Sequence, residues 1–214
     1  MNYTSLAKKI IPAVILEPIK NFKYDLQDYF NLISYMKGKS FESPPHIIKA
    51  LRVIQTGKRH GVNVLVETGT FHGEMVRKSL QYFDNIFTIE LDENLAQQAS
   101  QRFQRYQKVR ILHGDSGLIL GSILEQIQEP AIFWLDGHYS GPGTAKGDLD
   151  TPILRELAII KRHHIDVHII LIDDVRCFGA DNYPTIDQVK SELKAINPSY
   201  RLSIIDDIIS AEPF

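Results

Sequence analysis

Five apolar runs in this chain end in acids. Glu67 closes Val64-Leu65-Val66, Glu90 closes Ile86-Phe87-Thr88-Ile89, and Asp115 follows Ile111-Leu112 by a short turn. Asp136 closes Ile132-Phe133-Trp134-Leu135, and Asp173 with Asp174 closes Ile169-Ile170-Leu171-Ile172. One acid after one strand is an ordinary solvated loop residue. Five in succession describe a site, because ligands of open α/β sheets bind at the carboxyl ends of the strands. The first run continues Thr68-Gly69-Thr70-Phe71-His72-Gly73 into the helical start Glu74-Met75-Val76. Glycines there allow close approach of backbone to ligand, and the free amides of a helix start attract a ligand's negative end.

The positions suggest separate roles. Glu90 lies 21 residues beyond Gly69, where a carboxylate with two adjacent acceptors takes both hydroxyls of a ribose. Asp115 and Ser116 are placed to accept from an exocyclic amino group such as that of adenine. Glu67 lies under the turn, within reach of the ligand or a bound water. A dinucleotide cradle requires G-x-G-x-x-G, and Phe71 stands in the place of its middle glycine. The turn therefore favours a nucleoside without a pyrophosphate and disfavours a nicotinamide-dependent oxidoreductase. Asp136, Asp173 and Asp174 end adjacent strands, and three clustered carboxylates repel unless protonated or neutralised by a cation. All-oxygen ligands suit a hard divalent ion, with magnesium the expected one.

The elements that must hold these residues alternate along the chain. Strands are expected at 62–67, 85–90, 109–112, 131–135, 167–172 and 201–205. Helices are expected at 91–106, 119–128, 151–164 and 185–197. This alternation predicts a doubly wound, mostly parallel α/β sheet. Runs such as Ile169-Ile170-Leu171-Ile172 are continuous rather than alternating, as befits strands covered on both faces. The segment 201–214 reads as a hairpin about Asp206-Asp207, so one terminal strand runs antiparallel. Residues 1–44 read as an N-terminal helical arm, a candidate lid or homodimer contact, and 45–214 as the ligand-binding domain. Pro45 suits the first turn of the helix after it.

Several residues outside the strand ends belong to the same reading. The stretch 137–150 carries glycines, a proline and polar side chains, and reads as an acceptor-binding loop with Tyr139, Lys146 and Asp148 as contacts. Thr151 and Pro152 are read as the cap and first position of the next helix, with Arg155 and Glu156 facing outward. Arg176 and Cys177 fall beside the acids, Cys177 as a small buried filler. His163, His164 and His168 are read as solvated or helix-end histidines.

Composition excludes several classes. With 24 Lys and Arg against 26 Asp and Glu, the formal net charge of -2 offers no basic surface for nucleic acid. A single cysteine precludes an internal disulfide and fits a reducing, cytoplasmic setting. The apolar run 10–16 contains Pro12 and is too short to span a bilayer, and no secretory cleavage signal follows it.

The successive segments Glu67-Thr68-Gly69-Thr70-Phe71-His72-Gly73, Ile89-Glu90-Leu91-Asp92, Gly114-Asp115-Ser116 and Phe133-Trp134-Leu135-Asp136 resemble the motifs of class I S-adenosylmethionine-dependent methyltransferases over roughly residues 60–214. The resemblance implies a Rossmann-like sheet of seven strands with the last antiparallel. It implies Glu67, Gly69, Thr70 and Gly73 at the methionine end of the donor, Glu90 at its ribose, and Asp115 with Ser116 at its adenine. The grouping of Asp136, Asp173 and Asp174 resembles that of cation-dependent O-methyltransferases acting on small sugars, polyols or phenols. In the sugar-modifying group a D-G-D-x-Y-like motif carries a metal aspartate and, two residues later, a base. Here His138 stands at that second position, a departure, though histidine accepts a proton near neutral pH. Two alternatives stand beside this reading: a methyltransferase without metal, and a non-catalytic S-adenosylmethionine-binding protein.

Overall fold

The computed structural model describes residues 13–41, 43–137, 151–180 and 182–214. The chain forms two compact units, Met1–Lys49 and Ala50–Phe214. In the first, α1 (Ala13–Met36) ends where Gly38, at φ +77, donates its amide to Tyr35 O at 2.9 Å. A left-handed residue of this kind is a common helix stop. The helix α2 (His46–His60) begins directly after Pro45, whose carbonyl accepts from Ile48 at 2.8 Å.

The second unit holds the sheet. Its elements are β1 (Val64–Thr68), α3 (Glu74–Ser79), β2 (Asn85–Glu90), α4 (Glu93–Phe103), β3 (Val109–His113), α5 (Ser116–Leu124), β4 (Ala131–Leu135), α6 (Ile153–Ile160), β5 (Ile169–Ile172), a 3-10 turn (Val175–Cys177), α7 (Ile186–Ile196), β6 (Arg201–Ile205) and β7 (Ile208–Glu212). The strand order is β3-β2-β1-β4-β5-β7-β6. Strands β1 to β5 pair in parallel, and β7 runs antiparallel to both β5 and β6. This is the expected seven-stranded Rossmann-like sheet with an antiparallel last strand.

Two apolar layers fix that sheet. Val64 and Val66 of β1 pack with Leu120 and Ile123 of α5, Leu157 and Ile160 of α6, and Val189 and Leu193 of α7. Leu65, between them in sequence, packs on the opposite face with Val53 and Ile54 of α2, Met75 and Val76 of α3, and Phe103 of α4. Successive side chains of a strand point to opposite faces, so helices on both sides bury every residue of β1 and β4. The edge strand β6 keeps Ile204 and Ile205 exposed. Asp206 and Asp207, both at positive φ, form the tight β6–β7 turn that a two-residue hairpin demands.

Several boundaries shift from the sequence expectation, each for a local reason. The helix α5 starts at Ser116 rather than 119, because Asp115 caps it by accepting from Gly117 N at 2.8 Å. Its two glycines, Gly117 and Gly121, hide the helical pattern. At α6, Pro152 occupies the cap itself and Ile153 opens the helix. His168 is not solvated but fully buried. Its Nδ1 accepts from Ala131 N at 3.0 Å, so its Nε2 carries the proton toward His163 Nδ1 at 2.8 Å. The Tyr200 hydroxyl donates to His168 O at 2.6 Å. Burial, reinforced by His163 and His164, holds the His168 imidazole down to about 4. Among the described residues no helix is long and apolar enough to cross a membrane.

Candidate functional site

Strand β1 lies between β2 and β4, where the order of strands reverses, and its turn is pinned on both sides. Gly69 N and Thr70 N donate to Ile89 O of β2 at 2.9 and 3.2 Å. Gly69, at φ +84, lies so close to β4 that an added Cβ would come within 2.4 Å of Asp136 O. Only glycine combines that torsion with that approach. Gly73, at φ +73, lies against the Phe103 ring and caps α3. Arg102 braces the turn from outside, donating to His72 O and, at 2.8 Å, to Glu74.

Glu90 clamps the tip. Its Oε2 accepts from Phe71 N at 2.7 Å and its Oε1 from Asp92 N at 2.9 Å. Each is a charge-assisted bond to a backbone amide. A carboxylate has about four lone-pair sites, so two remain for a ligand diol. Held this way, Phe71 adopts φ 48, a conformation that L residues rarely take, with its ring half exposed and packed on His72.

Glu67 is buried beneath this turn. Its Oε2 accepts from Thr88 Oγ1 at 2.5 Å, and Thr88 Oγ1 also lies 2.5 Å from Thr70 Oγ1. Burial pushes the Glu67 carboxyl well above the usual carboxylate range. Asp136 and Glu90 add to that rise, against the Thr88 hydrogen bond.

One strand over, Asp136, Asp173 and Asp174 converge, with one ligating oxygen from each lying within 4.8 Å of the others. Asp136 N donates to Thr68 O at 3.1 Å and to Thr68 Oγ1 at 3.2 Å, and Asp173 N to Leu135 O at 3.1 Å. Asp174 takes φ 58, and its amide donates to Asp173 Oδ1 at 2.9 Å. Arg176 reaches back from the 3-10 turn to Asp174 Oδ1 at 2.5 Å and also pairs with Asp207 of the β6–β7 turn. The hairpin thus fixes this loop, since Val175 N and Arg176 N donate to Asp207 O and Oδ1 at 3.0 and 2.8 Å. Thr151, Phe178 and Tyr183 line the cleft beside the acids. An all-oxygen, anionic donor set of this kind fits a hard divalent cation.

The structure therefore gathers Glu67, Gly69, Thr70, Gly73 and Glu90 about the turn after β1, and Asp136, Asp173 and Asp174 at the adjoining ends of β4 and β5. Asp115 and Ser116 open α5. His138, Tyr139, Lys146 and Asp148 lie outside the described residues. Cys177 is half-buried rather than a core filler, and burial raises its thiol pKa, with Asp174 adding to the rise. Thr88, which ties Glu67 to Thr70, carried no signal in the sequence beyond its place in an apolar strand.

Glu156 does not face outward. It is 1% exposed, on the α6 face that also carries Ile153, Leu157 and Ile160. The spacing 153, 156, 157, 160 is one helical face, a signal available in the sequence. Burial lifts its carboxyl to about 7, against the Ser116 and Thr68 hydroxyls that face it and with Asp115 and Asp136 adding to the rise. Its Oε1 is buried without a hydrogen-bond partner of good geometry.

No protein-family profile matches the sequence, and no curated protein matches it. Solved structures do match in fold. An O-methyltransferase of Bacillus cereus in complex with S-adenosylhomocysteine superposes with a TM-score of 0.59 at 13% identity, over 98% of this chain and 96% of that one. A Podospora anserina methyltransferase bound to S-adenosylhomocysteine gives 0.54 at 13% identity, over 99% of this chain and 94% of that one. The chain shares the Rossmann-like fold of these two proteins.

Proposed function

We propose that this protein transfers the methyl group of S-adenosylmethionine to a hydroxyl of a small sugar, polyol or phenol, with a divalent cation held by Asp136, Asp173 and Asp174. One juxtaposition carries the reading. A glycine turn clamped by Glu90 at the strand-order reversal adjoins three carboxylates within 4.8 Å of one another. The similar folds bound to S-adenosylhomocysteine support the donor half.

In this reading Glu90 takes the ribose hydroxyls, Asp115 and Ser116 the adenine, and Glu67, Gly69, Thr70 and Gly73 the methionine end. The sulfonium methyl is already activated, so the protein's task is to align an electron-rich oxygen with it. A divalent cation, when bound, lowers the pKa of the acceptor hydroxyl and fixes its direction. Asp136 and Asp173 hold that acceptor end of the site. His138, two residues past Asp136, takes the hydroxyl proton as the oxygen attacks.

A second reading rests on Arg176. Its guanidinium already neutralises Asp174, so the acids can instead position an acceptor without metal. Calorimetry with S-adenosylhomocysteine, with and without Mg2+, separates the two. The cation reading expects Mg2+ binding to wild type and its loss in Asp173→Asn, with S-adenosylhomocysteine affinity kept within threefold. Turnover equal with and without Mg2+, unaffected by that substitution, sinks it. Failure to bind S-adenosylhomocysteine sinks both.

A further inference from the structure

Glu156 is a buried acid that the reaction above does not use. Its helix face packs into the apolar core through Ile153, Leu157 and Ile160. A leucine of similar size would complete that face with no polar group to desolvate. A carboxyl there works against stability, and a buried unpartnered oxygen calls for an explanation.

Its surroundings supply one. A Cβ built on Gly137 would lie 3.2 Å from Thr68 Oγ1, 3.3 Å from Glu156 Oε1 and 3.3 Å from Ser116 Oγ. Three oxygens from three separate elements therefore surround the space that a side chain at Gly137 would fill, directly after Asp136. Thr68 Oγ1 also accepts the Asp136 amide proton at 3.2 Å. That leaves the threonine its own proton, and the Glu156 carboxyl faces this hydroxyl. Asp136 amide, Thr68 hydroxyl and Glu156 carboxyl thus follow one another from the sheet edge toward the core.

We infer that Glu156 is a positioning residue: through Thr68 and the Gly137 backbone it fixes the end of β4 so that Asp136 meets Asp173 and Asp174. The inference rests on the cation reading given above. Groups that orient a metal ligand without touching the metal typically change affinity about 10–100-fold when removed. Glu156 lines the cleft beside the acids without being one of the three that group within 4.8 Å, so its loss is expected to fall on cation affinity and not on donor affinity.

The test is Mn2+ titration followed by electron paramagnetic resonance, alongside S-adenosylhomocysteine calorimetry, on wild type, Glu156→Gln and Glu156→Leu. Glutamine keeps a carbonyl oxygen to accept from both hydroxyls, and leucine fills the space without one. Mn2+ affinity is expected to fall at least about tenfold in the leucine variant and to stay within about threefold in the glutamine variant. Donor-product affinity is expected to stay within about threefold in both, which also reports that each has folded. A leucine variant that binds Mn2+ as tightly as wild type overturns the inference. So does one that loses S-adenosylhomocysteine in the same proportion, since that describes a general structural role. Wild type that binds S-adenosylhomocysteine but no Mn2+ sinks the cation reading itself, and this inference with it.

Discussion

Gly69 and Gly61 form a matched pair for testing how the donor turn is built. Both take left-handed backbone, at φ +84 and +64. Gly61 ends α2 in open space, with nothing within 4 Å of an added Cβ. At Gly69 the same atom meets Asp136 O at 2.4 Å and Asp136 C at 3.0 Å, both backbone. Alanine at either site pays the left-handed torsion, about 1–2 kcal/mol. At Gly69 it must also push β1 and β4 apart, and overpacking of that kind adds about 1–3 kcal/mol. Gly61→Ala should therefore destabilise by about 1–2 kcal/mol and Gly69→Ala by about 2–5 kcal/mol. Urea unfolding at constant pH reads both as shifts in midpoint, with slopes unchanged because the same surface is exposed. S-adenosylhomocysteine calorimetry should show binding kept in Gly61→Ala and lost or greatly weakened in Gly69→Ala, because the displaced turn no longer offers its amides. Equal midpoint shifts in the two variants would refute the close-approach argument. Intact binding in Gly69→Ala would refute its link to the donor.

Two further expectations test the packing behind the site. His168 is neutral in the fold down to about 4, while the unfolded chain protonates it near 6.5. Its neutral burial therefore favours the fold fully above pH 6.5, and about 3 kcal/mol of stability is lost as pH falls from 6.5 to 4. His168→Gln, which can still accept from Ala131 N, should show a smaller drop in urea midpoint between pH 7 and 4.5; a drop equal to that of wild type contradicts the assignment. Thr88→Val removes the hydroxyl that donates to Glu67 and leaves a buried carboxyl oxygen without it, so it should destabilise by about 1–3 kcal/mol in the same assay. An unchanged midpoint would mean that the Thr88 hydroxyl holds nothing.

The strands of the sheet were largely legible because burial on both faces writes a strand as an unbroken apolar run, as in Ile169-Ile170-Leu171-Ile172. The hairpin was legible through Asp206-Asp207, since two short polar residues tolerate the required positive φ. Helix starts were less so. Asp115 was read as a ligand group, yet it also caps α5, a local bond that spacing alone does not separate from a site. The charge of Glu156 suggests an outward position, whereas its place between Ile153 and Leu157 on one helical face turns it inward. The burial of His168 is not legible locally, because its partners, Ala131 and His163, come from a neighbouring strand and from the connection ahead of its own.

By itself the sequence determined which residue types stand at the strand ends and where glycine permits a sharp turn, because both are properties of the local chain. Only the tertiary structure decided what those groups touch. Glu90, expected at a ribose, accepts from Phe71 N of the turn and from Asp92 N, Arg176 pairs both with Asp174 and with Asp207 of a hairpin 31 residues further on, and Glu156 turns inward under Gly137. The physical reason is that hydrogen bonds and ion pairs depend on distance in space. Parallel pairing sets β1 and β4 side by side although β2 and β3 come between them in the chain.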